Sequence, residues 1–314
     1  MATAATTSTG FDRPSTLPAW VDRVAYPFQS RFLETAPGQR LHYVDEGAGE
    51  VLLFVHGTPT WSFEWRHCIR DLSRTHRCIA LDLTGFGLSD RPADFPYTPE
   101  AHARVLRAFV ERLGLAEFTL VVHDYGGPIA LPLALDSAEC VRRLVLSNTW
   151  MWSFDDDPAM TRRARIVGGR VGRFLYRSVN FSLRVLVPSA YADKRKLTPA
   201  IFAQYLAPFR DVEARGRVLW PLARAILGSR DHYNSLWQQR ERLRGRPALI
   251  IWGMKDPAFQ PPMLQRWRSV LPEARVVELS AGHWPHEEAP DAVTRALREF
   301  LTPARSQAPG DGHS

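Results

Sequence analysis

The 314-residue chain has only three cysteines, Cys68, Cys78 and Cys140, scattered and in no metal-like spacing. That argues against a disulfide framework and a cysteine-rich metal site, and suits small buried apolar side chains. No uninterrupted apolar run approaches the ~20 residues that a membrane-crossing helix needs. The opening MATAATTSTGFDRPS lacks a basic start followed by an apolar core, so it does not read as a secretory signal, and a cytoplasmic protein is expected. No internal repeat is visible. With 45% apolar and 23% charged residues, the composition excludes disorder as the main state.

The formal net charge is +7, which raises nucleic acid or an anionic surface as a partner. Its distribution answers this in part. Residues 150–245 hold 18 Lys and Arg against 8 Asp and Glu, whereas the rest of the chain holds 22 against 25. The excess fits a solvated outer face of one segment, with steering of an anionic substrate or product as the alternative. The expected partners are a small-molecule substrate and water, with no nucleic acid, no membrane, no cofactor and no metal; the sequence leaves the oligomeric state open.

Short β-rich runs alternate with helical patterns. Strands are expected at Leu41–Val44, Val51–Val55, Cys78–Leu83, Thr119–Val122, Arg143–Ser147, Ala248–Trp252 and Arg275–Leu279. Several are continuously apolar, as strands buried on both faces should be. Thr98 and Pro99 suit the start of a helix and Gly114 its end. This alternation predicts an α/β fold, a mostly parallel sheet with helices on both faces. Between about Trp150 and Gly245 the strands stop and helical patterns take over, as expected of a cap inserted over the sheet's C-terminal edge. The expected division is a disordered tail at 1–15, a core from 16–149 and 246–302, a helical cap at 150–245, and a second tail at 303–314.

Four segments carry chemistry. In Leu120-Val-Val-His-Asp-Tyr-Gly-Gly-Pro128 an apolar strand ends, a carboxylate follows, and glycines open a helix, the layout of a nucleophile elbow with Asp124 at its tip. Phe54-Val-His-Gly-Thr-Pro59 is a strand followed by a tight loop. Asp256 follows Ala248–Trp252, and His283 follows Arg275–Leu279. Alone, each residue has an ordinary explanation as a helix cap or a loop polar group. Nucleophile, acid and histidine in this chain order, on such a strand pattern, point to one hydrolytic site. The Thr58 and Tyr125 backbone N–H groups would then form the oxyanion hole.

The blocks YPFQSRFLETAPGQRLHYVDEG, HGTPTWSFEWR, DLTGFGLSDRP, VVHDYGGPIAL, WGMKDPAF and GHWPHEEAP resemble those of the α/β-hydrolase fold, within its haloalkane dehalogenase and epoxide hydrolase group, from about Tyr26 to Leu301. The resemblance implies a covalent alkyl ester on Asp124, cleaved by water that His283 activates and Asp256 supports. The implied substrate is a small, largely apolar electrophile, first a carbon–halogen bond. The alternatives are an epoxide, then a β-lactone undergoing decarboxylation, then a non-catalytic binding module. The sequence departs from typical haloalkane dehalogenases at two halide-binding positions. Tyr125 stands where tryptophan is usual and Thr58 where asparagine is frequent. Trp150, Trp152, Trp220 and Trp237 are the candidates for a replacement indole, with apolar packing as the other explanation for each. Epoxide hydrolases place tyrosine hydroxyls from the cap on the epoxide oxygen; Tyr176, Tyr191, Tyr205 and Tyr233 lie in the insertion, and none matches a specific motif. Fluoroacetate-type enzymes carry an arginine shortly after the nucleophile, and none is present here. His56 and His123 are expected to bond loops, Asp155–Asp157 to start a helix, and His283 with His286 not to bind zinc.

Overall fold

A computed structural model describes residues 17–136 and 139–302. The expected tails, 1–15 and 303–314, lie outside the described residues. Eight strands form one sheet: β1 Arg31–Ala36, β2 Gln39–Glu46, β3 Val51–Val55, β4 Arg77–Leu81, β5 Phe118–Asp124, β6 Val141–Thr149, β7 Ala248–Gly253 and β8 Arg275–Leu279. Their order is β1-β2-β4-β3-β5-β6-β7-β8. β2 pairs antiparallel with β1 and with β4, and every other pairing is parallel.

Seven strands match expectation to within a few residues at each end; β1 is additional. Its sequence RFLETA is half exposed at the sheet edge, so it lacks the apolar run that marks β5 or β7. All seven residues of β5 are buried because helices cover both faces of the central sheet.

The helix Pro99–Arg112 begins as expected: the Thr98 hydroxyl accepts from the Ala101 N–H, and Pro99 needs no hydrogen-bond partner at the first position. Leu106, Phe109 and Val110 face the core, and Gly114 follows the helix with φ +62°. Between β6 and β7 the described chain is a series of helices, two of them short π-helical turns at Ser182–Leu186 and Arg215–Leu219. No described helix is long and apolar enough to cross a membrane.

Candidate active site

Asp124 ends β5 with φ +50°, a left-handed conformation that is unusual for a side chain larger than glycine. The turn holds because its neighbours leave no room for anything else. A Cβ on Gly57 would lie 2.4 Å from Asp124 Cβ and Oδ1, and one on Gly126 would lie 2.3 Å from the Val55 carbonyl oxygen. The Thr149 hydroxyl donates to the Asp124 carbonyl at 2.6 Å. The carboxylate is thereby lifted to the sheet's C-terminal edge, 6% exposed.

Each oxygen of Asp124 has a distinct neighbour. The Thr58 N–H donates to Oδ1 at 2.9 Å, and His283 Nε2 lies 3.5 Å from Oδ2. His283 Nδ1 is 2.6 Å from Asp256 Oδ2. Asp256 is itself anchored: Oδ1 accepts from the N–H groups of Ala258 and Phe259, and Oδ2 accepts from Asn148 Nδ2 at 2.8 Å. Asn148 also bonds both backbone polar groups of Gly253, fixing the loop to β7. The Asn148 amide is the support that lets Asp256 face His283.

Burial of His283 works against its charged form. The Asp256 charge, followed by hydrogen bonding to Asp124 and Asp256, outweighs this and raises its pKa from 6.5 to about 10. Asp256 shifts the other way: burial raises it, but the His283 charge and the surrounding donors bring it below the usual carboxylate range.

The His283 loop is pinned on several sides. The His283 N–H donates to the Ala190 carbonyl at 2.9 Å, and its own carbonyl accepts from His123 Nε2 at 2.8 Å. The preceding Gly282 N–H donates to Glu288. His123 thus bonds a loop, as expected. Because a carbonyl only accepts, His123 Nε2 carries a proton, while its Nδ1 lies 3.3 Å from Glu64 Oε1. His286 Nε2 lies 3.8 Å from the other Glu64 oxygen. Burial raises the Glu64 carboxyl, but the His123 charge and its hydrogen bond outweigh that and hold it far below its usual range. These three side chains place ligand atoms within 4.8 Å of one another, a grouping that a cation could bridge. His56 bonds the Gly57 carbonyl through Nδ1 and accepts the Leu83 N–H at Nε2, again a loop tie. Asp157 caps the helix Pro158–Gly168.

Asp124 and His283 face a cavity of about 230 Å³ whose walls are mostly apolar. Of the four proposed tryptophans, Trp150 lines it. Trp152 and Trp237 pack on each other at 5.7 Å outside it, and Trp220 lies beneath the Arg173 and Arg224 guanidiniums. Trp284, not singled out in the sequence, also lines the cavity. The indole N–H groups of Trp150 and Trp284 are buried and make no hydrogen bond within the protein. The Tyr125 hydroxyl, a candidate donor, is committed to the Leu222 carbonyl at 2.6 Å. Among the tyrosines between β6 and β7, Tyr176 lines the cavity, while the Tyr205 hydroxyl is bonded to Glu287.

A family model described as the α/β hydrolase fold matches residues 50–290. Haloalkane dehalogenase 2 of Mycobacterium tuberculosis (strain ATCC 25618 / H37Rv) is 38% identical over 281 residues, covering 88% of this chain and 96% of that protein. A cis-3-alkyl-4-alkyloxetan-2-one decarboxylase of Shewanella oneidensis is 32% identical, covering 90% and 91%. The crystal structure of haloalkane dehalogenase DbeA from Bradyrhizobium elkani superposes with a TM-score of 0.77 at 26% identity, covering 87% of this chain and 97% of that one. The fold, the ordered motifs and these likenesses agree: the chain belongs to the α/β-hydrolase fold family.

Proposed function

We propose that this protein hydrolyses carbon–halogen bonds of small apolar molecules through a covalent ester on Asp124. The observation that carries this reading is the arrangement about Asp124: Thr58 N–H on one oxygen, His283 backed by Asp256 on the other, and an apolar cavity in front. In the first step an Asp124 oxygen attacks the halogen-bearing carbon. The C–O bond forms as the carbon–halogen bond breaks, and the halide leaves with the bonding pair. Apolar walls strip water from the carboxylate and so favour attack.

Esterification removes the Asp124 negative charge, one of the influences that holds the proton on His283. With that charge gone, Nε2 releases its proton more readily and can act as base. Water then attacks the Asp124 carboxyl carbon, its proton passes to His283, and Asp256 stabilises the imidazolium. The developing oxyanion falls to the Thr58 and Tyr125 N–H groups. On breakdown the departing alkyl oxygen takes the proton from His283 and leaves as the alcohol, and the Asp124 carboxyl ionises to return the starting state.

The Trp150 indole N–H supplies halide stabilisation in this reading. It lines the cavity with an unused buried donor, whereas the Tyr125 hydroxyl proton is already engaged. Replacing Trp150 with phenylalanine keeps an aromatic ring against Tyr125 and Phe259. We expect kcat for dehalogenation to fall about 10²- to 10³-fold, as when one preorganised donor is removed. Halide quenching of intrinsic fluorescence should weaken in parallel, and unchanged kcat and quenching would remove Trp150 from this role.

The test of the function is one panel, measured in parallel for halide release, epoxide opening and β-lactone loss, with Asp124→Ala as control. Halide release that disappears in Asp124→Ala supports the proposal; β-lactone loss alone would move the chain to the chemistry of its Shewanella relative. A single cap tyrosine on the cavity wall argues against epoxide opening, for which the family uses tyrosine hydroxyls.

A further inference from the structure

The cap's positive charge is not spread evenly. Residues 158–192 contain seven arginines and no Asp or Glu. Among the described residues, Arg177 is the one of these with an ion-pair partner, Glu213; Arg162, Arg163, Arg165, Arg170 and Arg184 are solvent-exposed without one. Large exposed apolar side chains concentrate in the same stretch. Ile166, Val171, Phe174, Val179, Val185 and Leu186 are 38–63% exposed, and elsewhere in the described chain only Val24 and Val212 match them. On the helix Arg170–Val179, Val171 and Phe174 lie one turn apart on the outer side, while Gly172 and Tyr176 turn inward. The same stretch walls the cavity through Met160, Tyr176, Leu186 and Val187, so Leu186 touches both cavity and solvent.

We propose that this face of the cap docks on an anionic lipid surface, with the arginines at the headgroups and Val171, Phe174 and Leu186 dipping beneath them. Apolar residues among uncompensated arginines are the composition that binds such interfaces. A second copy of this face is a poor occupant, because self-association would press the same arginines together with no acidic residue in the segment to pair them. The absence of a crossing helix concerns spanning and leaves contact with a surface open. That an apolar substrate then passes from the bilayer into the cavity beside Leu186 rests on the proposed function; the docking does not.

The test is flotation of the full chain with phosphatidylcholine vesicles, with and without about 30% phosphatidylglycerol, a content that gives a strongly negative surface. Retention on the anionic vesicles, absent on the neutral ones and weakened by salt, is expected. The triple substitution Arg162→Gln/Arg163→Gln/Arg170→Gln should weaken partitioning on the order of a hundredfold, each basic residue near such a surface contributing roughly fivefold. Val171→Ser/Phe174→Ser should remove the retention that survives salt. Turnover of a water-soluble substrate should not change in either variant, so loss of docking and loss of catalysis are read separately. Equal binding to both vesicles, or to neither, overturns the proposal. So does an apolar double variant that leaves flotation intact but converts a dimer to a monomer in light scattering, which would assign the face to a second copy. Binding of polyglutamate without vesicle retention would assign it to an acidic protein.

Discussion

His283→Gln should stop the enzyme after a single chemical event. In the proposed scheme attack by Asp124 needs no base, because a carboxylate is already the nucleophile; hydrolysis of the ester does, because water must lose a proton as it adds. Glutamine approximates the ring's volume and can still bond Asp256, but it cannot accept that proton. The expected result is a peptide containing residue 124 heavier by the alkyl group, one halide released per chain, and steady turnover down by more than about 10³-fold, within the range attributed to a positioned base. The folded state should persist, because the loop's backbone bonds to Ala190 and His123 do not involve the imidazole. A variant that still turns over, or one that releases no halide and gains no mass, contradicts the two-step scheme. The second outcome would mean that His283 is needed before the ester forms.

The parts of this site that were legible in the sequence are those where the backbone constrains residue choice. Gly57 and Gly126 stand where a Cβ would strike Asp124 or the Val55 carbonyl, so the elbow and the loop facing it leave a glycine signature. Asp256 follows a strand whose apolar run is plain, and His283 follows a glycine just past the last strand. The tryptophans behave differently. Trp150 and Trp152 are two residues apart after one strand, yet one lines the cavity and the other packs on Trp237 and Trp267. Which indole faces the cavity depends on how the chain turns after β6 and on what the cap lays against it, and neither is written in local periodicity. The buried charges were the least visible. Glu64, Arg66 and Glu287 sit in SFEWRH and WPHEEAP, runs whose family resemblance says nothing of which charges are buried. Their partners lie up to 221 residues away, so only the assembled fold shows that they are interior.

Glu287→Gln should therefore be among the most destabilising single changes outside the site. Arg66 meets Glu287 through both terminal guanidinium nitrogens, Nη1 to Oε1 and Nη2 to Oε2, the latter at 2.7 Å, with the Tyr205 hydroxyl also on Oε1. The Arg66 side chain is 3% exposed and that of Glu287 fully buried. Burial alone would raise the Glu287 carboxyl, but the Arg66 charge and hydrogen bonds outweigh this and keep it ionised. Three regions meet here: the segment after the Thr58 loop through Arg66, the helical stretch between β6 and β7 through Tyr205, and the helix Pro285–Glu288 that follows His283. A glutamine amide cannot balance the guanidinium, so Arg66 is left buried with its charge uncompensated, which costs about 3–5 kcal/mol. For a chain of this size that is a Tm fall on the order of 10 °C, read by calorimetry and by the urea midpoint. The double change Arg66→Met/Glu287→Met removes both charges and should recover much of the loss, because the penalty comes from the orphaned charge more than from the missing attraction. If Glu287→Gln shifts the urea midpoint no more than an exposed control such as Glu117→Gln, the pair is not the clamp the geometry describes. If Arg66→Met/Glu287→Met is as unstable as the single change, the loss lies in packing around Phe63, where the Arg66 guanidinium sits 4.1 Å above the ring.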